Sequence, residues 1–295
     1  MNYLKNIQFQ QLINLLLLLS IANSNNSLQT NWITILILSI FAATIELALV
    51  NLNSKINRNS YILYIPFSAI ITLLGIVLMI GYIQWYIPFV LLAISLAQKQ
   101  FLTIDKKHIF NPSNFAVIAA LTLFYPKALP IIGQLGHQGY TVIAVTIMLA
   151  IFILLRVNRL TIPIIFSFFY IALEWLIIGH SNPNWEFTHF LTKFYTTSFI
   201  VYLFFMLTDP ITTPNSIKKQ ALFSVLIATI LVTLDYVYTQ RVWNLFLALF
   251  LSSALFVPAY RELEKVEWIK YALIVAVSII LTISISNNTP HYFNM

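Results

Sequence analysis

Eleven apolar runs separated by short polar breaks restrict what this chain can fold into. They lie at 12–23, 32–52, 61–82, 84–98, 112–124, 140–155, 160–179, 189–207, 217–235, 242–260 and 271–286. Most approach the roughly 20 residues that an α-helix needs to cross bilayer hydrocarbon. Of 295 residues 60% are hydrophobic and 8% charged, whereas soluble domains carry about 25% charged residues. No water-facing surface of that size can be built from so few charges. The expected fold is an all-α polytopic membrane protein: one membrane domain, residues 1–295, of 10–11 transmembrane helices with the lipid bilayer as its immediate partner. The runs at 12–23, 84–98 and 112–124 are short. The first could also serve as a signal-peptide core, with Lys5 before it and Ala22-Asn23-Ser24 after it, but it lacks a small-x-small cleavage pattern. The run at 112–124 could be a half-helix or a re-entrant segment.

Lys and Arg set the expected orientation. With the N-terminus inside, the inner loops hold thirteen of them: Lys5, Lys55, Arg58, Lys99, Lys106, Lys107, Arg156, Arg159, Lys218, Lys219, Arg261, Lys265 and Lys270. The outer side holds only Lys127, Lys193 and Arg241. Trp32, Trp85, Trp185, Trp243 and Trp268 fall near run ends, as interfacial anchors do. The expected location is the cytoplasmic membrane. A net charge of +7 could point to nucleic acid, but the basic residues are scattered between apolar runs rather than gathered on a face, so no nucleic-acid partner is expected. The absence of cysteine excludes disulfides, Cys-ligated iron–sulfur clusters and c-type haem attachment within the chain.

Two segments interrupt the apolar pattern: Lys107-His108-Ile109-Phe110-Asn111-Pro112-Ser113-Asn114-Phe115, and Phe205-Met206-Leu207-Thr208-Asp209-Pro210-Ile211-Thr212-Thr213-Pro214. Proline donates no backbone hydrogen bond and turns the preceding residue away from helix. Each pair, Asn111-Pro112 and Asp209-Pro210, should break the chain, and Asn or Asp can cap a following helix. The expected bundle therefore has one or two broken helices. A helix N-terminus at such a break suits an anion, such as a flavin phosphate. The blander reading makes both segments surface loops that start helices. Their spacing of about a hundred residues raises a possible internal repeat. An inverted repeat would place them on opposite faces, whereas the loop count places both near the inner one.

These two segments resemble the RnfD/NqrB family, the membrane subunits of Rnf and sodium-pumping NADH:quinone oxidoreductase complexes. The family's first segment typically reads Phe-Asn-Pro, as at Phe110-Asn111-Pro112. Its second reads Phe-Met-Ala-Thr-Asp-Pro, matched here by Phe205-Met206-Leu207-Thr208-Asp209-Pro210. The exact motifs cover some twenty positions, and the span pattern extends the likeness along most of the chain. The resemblance implies electron transfer or coupled ion translocation, a flavin, and partner subunits in a membrane redox complex. Family members carry FMN on a threonine within a Ser/Thr-Gly/Ser-Ala-Thr motif between the two segments. Nothing between Pro112 and Asp209 matches it, and Ala42-Ala43-Thr44 precedes the first segment and lacks its leading residues. The expected cofactor is therefore FMN or riboflavin held non-covalently, or none. The chain is similar to a short, divergent branch of the family, of the kind labelled as UnbU-type enediyne-biosynthesis membrane proteins.

The expected cofactor-binding residues are Asn111, Ser113, Asn114, Thr208, Asp209, Thr212 and Thr213, with Pro112 and Pro210 shaping the site. Glu46 and Glu174 fall inside predicted spans, where a charge costs roughly 2.5–3.5 kcal/mol on insertion scales. They are ion or proton candidates, although snorkelling could relieve the cost near a span end. Asp235, at a span end, reads as an ordinary solvated carboxylate, and Arg261–Lys270 as a solvated helix end. The loop Gly133–Gly139, with three of six glycines, reads as a flexible turn or a ligand mouth. No histidine falls inside a span, so a buried bis-histidine haem is not expected. No zinc spacing, Walker A sequence, GxGxxG or nucleophile elbow occurs, so no metal is assigned. The rival functions are a non-redox small-solute transporter or channel on the same scaffold, and a subunit that only holds partners.

Overall fold

The structure, a computed structural model, describes residues 6–24, 30–52, 66–131, 140–180, 186–192, 194, 196–238 and 242–288. The stretch Gly133–Gly139, Trp185, His291, Lys5, Lys55, Arg58, Lys193 and Arg241 lie outside them. The described chain is mostly helical. Its helices are α1 Ile7–Ser24, α2 Trp32–Leu52, α3 Phe67–Met79, α4 Ile87–Phe101, α5 Pro112–Leu123, α6 Tyr140–Val157, α7 Thr161–Leu173, α8 Phe187–Thr192, α9 Thr197–Val201, α10 Ile217–Tyr238, α11 Val242–Leu255 and α12 Lys265–Asn288. Two helices continue as wider π-helical stretches: α7 through Glu174–Gly179 and α9 through Tyr202–Met206.

These elements follow the apolar runs closely. Among the described residues, five helical stretches are long and apolar enough to cross a membrane: Ile7–Ser24, Trp32–Asn51, Thr161–Gly179, Ile217–Tyr238 and Lys265–Asn287. Five shorter apolar helices accompany them. The expected run at 189–207 is broken: α8 ends at Thr192 and α9 starts at Thr197, with Thr196 accepting the Phe199 amide as its cap.

The polarity of the helix faces is inverted relative to a water-soluble bundle. On α12 the exposed residues include Val266, Ile269, Leu273, Val277, Ile280 and Ile283, while Ser278, Thr282 and Ser286 are buried. The Ser278 and Thr282 hydroxyls donate back to carbonyls four residues earlier, which satisfies them without water. Exposed Ile33, Leu36, Ile37 and Ile40 line α2 in the same way. Apolar stripes of this extent are rarely left facing water.

The short helices gain reach from strands. At about 1.5 Å per residue, α3 rises roughly 20 Å. Strand β1, Ile80–Tyr82, follows it and pairs antiparallel with β4, Ala128–Pro130, beyond α5. Three extended residues add roughly 10 Å, and pairing satisfies the backbone groups that face the partner strand. At the other end of the bundle β2, Thr103–Ile104, and β3, Lys107–His108, form a hairpin. Its turn residues Asp105 and Lys106 take φ of 51° and 57°, the left-handed pair that a two-residue hairpin requires. The sequence reading did not foresee this hairpin.

The core lies where α3, α5, α9, α10 and α11 meet, with α7 packed along α10. Helix α1 packs between α3 and α6, and its buried Asn14 donates to the Thr146 carbonyl at 3.1 Å. It is thus an integral wall of the bundle. Gly75 fixes the approach of α5 to α3: a Cβ there would lie 2.2 Å from Ser113 Oγ.

Candidate functional site

The two proline segments meet. Asn111 Nδ2 donates to Asp209 Oδ2 at 3.3 Å across 98 residues of sequence. His108 Nε2 lies 3.6 Å from the same oxygen. Beside this cluster is a cavity of about 320 Å³, at the lower end of the range for small-molecule pockets. Asn111, Pro112 and Ser113 form one side of it, and Thr208, Asp209 and Pro210 another. Leu15, Ile71, Ile153, Leu154, Val201 and Phe204 supply apolar walls, and Gln8 and Gln11 of α1 bring amides to it.

Local chemistry explains how each segment breaks. Asn111 is the N-cap of α5: its Oδ1 accepts from the Ser113 and Asn114 amides at 3.1 Å each. Pro112 follows at the first helical position, where its missing N–H costs nothing. Asp209 differs. It caps no helix but heads a turn, with Oδ1 accepting the Ile211 amide and its carbonyl accepting the Thr212 and Thr213 amides. Helix α10 starts only at Ile217. The two segments therefore do not repeat one local structure.

Two expectations are corrected by this geometry. The N-terminus of α5 is not free for an anion: Asn111 consumes the amides of Ser113 and Asn114, Phe115 N bonds the Asn111 carbonyl, and Pro112 has no N–H. The Asp209 carboxylate beside it would also repel a phosphate. Nor do all the expected residues face the cavity. Asn114 donates to the Phe246 carbonyl on α11. Thr213 turns to Asp209 O and accepts from Arg159 Nε, while the Thr212 carbonyl accepts the Tyr260 hydroxyl.

Two buried arginines clamp the Asp209 turn, a role hidden in their reading as loop charges. Arg159 donates to Thr213 Oγ1, the Pro210 carbonyl and Asn215 Oδ1. Arg261, 6% exposed, donates to the carbonyls of Ile104, Lys107, His108 and Ile211. It ties the hairpin to the turn and is not the solvated helix-end residue expected. Burial alone would push the Asp209 carboxyl up. The His108 contact and charge, the Ile211 amide and the charge of Lys99 outweigh it, holding Asp209 below the usual carboxylate range.

The two buried glutamates lie apart from Asn111. Glu46 pairs with Lys99 at 3.4 Å, and Lys99 also donates to Ser68 at the cavity wall. Glu174 is 0% exposed and lies within electrostatic reach of the Tyr170 phenol. That phenol faces Asp235, which also accepts from Asn244 at 2.7 Å. Asp235 is 4% exposed, which overturns its reading as a solvated carboxylate: α11 folds back along α10 and covers it. His108, Arg159, Arg261, Gln11 and Asp235 are thus site or support residues that the sequence reading passed over. Only His108 carried a local signal, the basic-His lead before Asn111.

Fold and site together define a mostly helical, apolar bundle with a polar site where two interrupted segments converge. A scan against protein-family models finds no match, and a search of curated proteins finds none either.

Proposed function

We propose that this chain is an integral subunit of the cytoplasmic membrane, similar to the RnfD/NqrB type. In this reading it binds a flavin-type ring non-covalently in the Asn111–Asp209 cavity and takes part in transmembrane electron transfer or coupled ion movement. One observation carries the reading: the two segments that bear the resemblance, 98 residues apart, close on one cavity. The lining suits a flat ring, with apolar walls and a polar end at Asn111, Asp209 and His108. It does not suit a phosphate, so any phosphate on the cofactor lies outside the cavity. A flavin, when bound, supplies reversible electron uptake coupled to protonation. The chain's own part is to orient the ring and to present the Asp209 carboxylate and the His108 imidazole at the polar end of the cavity. The end of the bundle bearing Lys107, Arg159, Lys219 and Arg261 faces the cytoplasm in this proposal, by the positive-inside bias.

A second reading, a non-redox solute or ion transporter, is favoured by the buried group of Tyr170, Glu174, Asp235 and Asn244. It provides a second polar station in the bundle, and intramembrane acids commonly mark ion or proton paths. Absorbance and fluorescence of the purified protein before and after denaturation separate the two. Flavin released on denaturation supports the first reading, and flavin retained by the denatured chain would overturn non-covalent binding. A colourless protein that moves solute in proteoliposomes supports the second.

A further inference from the structure

On the far side of Pro210 and Ile211 lies a second, separate pocket of about 210 Å³, whose other walls include Lys107, Lys219, Arg261, Ser216 and Tyr260. Three cationic side chains line it, and none of its lining residues is acidic. Lys107 and Lys219 are exposed, and among the described residues neither forms an ion pair. The buried Arg261 spends its terminal N–H groups on four carbonyls. Its remaining donor, Nε, is buried without a partner. Helix α10 also begins at this pocket, with Ser216 O accepting the Gln220 amide, so the positive end of a 22-residue helix adds to the field.

We propose that this pocket binds a phosphate group. Two exposed lysines without ion-pair partners, beside a buried guanidinium, favour a multiply charged anion over a single carboxylate. Ser216 and the lysine ammonium groups offer donors for several oxygens at once. The phosphate belongs either to a lipid headgroup or to a soluble phosphate ester. The first source has a physical precedent in basic pockets between membrane helices, and exposed Trp268, near Arg261 in sequence, has the character of an interfacial anchor. The site does not depend on the flavin reading, because it lies beyond the Pro210–Ile211 wall and its assay needs no flavin.

The test uses the full chain and the double variant Lys107→Gln/Lys219→Gln. Both lysines are exposed, so the variant should fold; equal thermal midpoints of the two proteins in chloride verify this. Two measurements follow. One is native mass spectrometry of protein purified from phosphatidylglycerol nanodiscs. The other is the shift in thermal midpoint of lipid-stripped protein with inorganic phosphate, against sodium chloride of equal ionic strength to remove screening effects. Phospholipid retained by the wild type and lost from the variant assigns the site to a headgroup. No retained lipid, but a phosphate-specific rise in midpoint that the variant lacks, assigns it to a soluble phosphate ester. Equal behaviour of the two proteins in both measurements overturns the proposal.

Discussion

At Gly75 a single missing methyl group sets how closely α5 approaches α3. Gly75→Ala would place its Cβ 2.2 Å from Ser113 Oγ and 2.8 Å from Ser113 Cβ. Overpacking of this kind costs about 1–3 kcal/mol. Gly75→Ala should lower the thermal midpoint in detergent, and adding Ser113→Gly should restore much of it; a double variant no better than the single would refute the contact. Asp209 offers a pH test. Its folded pKa is depressed below the unfolded value of about 3.9. Its stabilisation is therefore complete above the unfolded pKa and is lost as pH falls through the folded one. The wild-type midpoint should drop more steeply between about pH 5 and 3 than that of Asp209→Asn. The variant should start lower at pH 7, because His108 and the Ile211 amide lose their anionic partner.

At the scale of elements, the decisive joints are a hairpin and a turn held by arginines. Neither β2–β3 nor the 207–216 turn has a core of its own. Their carbonyls converge on Arg261 from three positions in the hairpin and one in the turn. Arg261→Met keeps the bulk but leaves these acceptors unpaired, and each buried group so stranded costs about 1–3 kcal/mol. The expected loss is at least about 3 kcal/mol, with faster protease cleavage at the turn than in the wild type. Arg261→Lys should recover only part of it, because one ammonium cannot reproduce the planar fork. Unchanged proteolysis in Arg261→Met would mean that the turn is held by something else.

For the whole molecule, the basic residues polarise the bundle. Lys107, Arg159, Lys219 and Arg261 gather around the Asp209 turn. Lys127 lies at the opposite end, where its carbonyl accepts the Ile83 amide beside the β1–β4 ladder. In right-side-out cells, a membrane-impermeant thiol reagent should label Lys127→Cys but not Lys107→Cys or Lys219→Cys. The chain has no cysteine of its own, so the readout is clean. Labelling of all three, or the reverse pattern, would overturn the orientation.

Features that depend on short stretches of chain are legible in the residues alone. The length and polarity of each apolar run gave the helices and the apolar surroundings their outer faces require. Asn111-Pro112 gave a capped break, because the cap and the lost N–H act within three residues. Features that join distant parts of the chain emerge only when the helices pack. Asn111 meets Asp209 across 98 residues and Arg261 reaches Ile104 across 157. Neither contact leaves a periodic trace in the chain. The same holds for burial: Asp235 and Arg261 sit at helix ends, where local reasoning exposes a charge, yet a neighbouring element covers each. The sequence marked two places where helix must stop. Packing made them one cavity, turned Asn114, Thr212 and Thr213 away from it, and spent the N-terminal amides of α5 on its own cap.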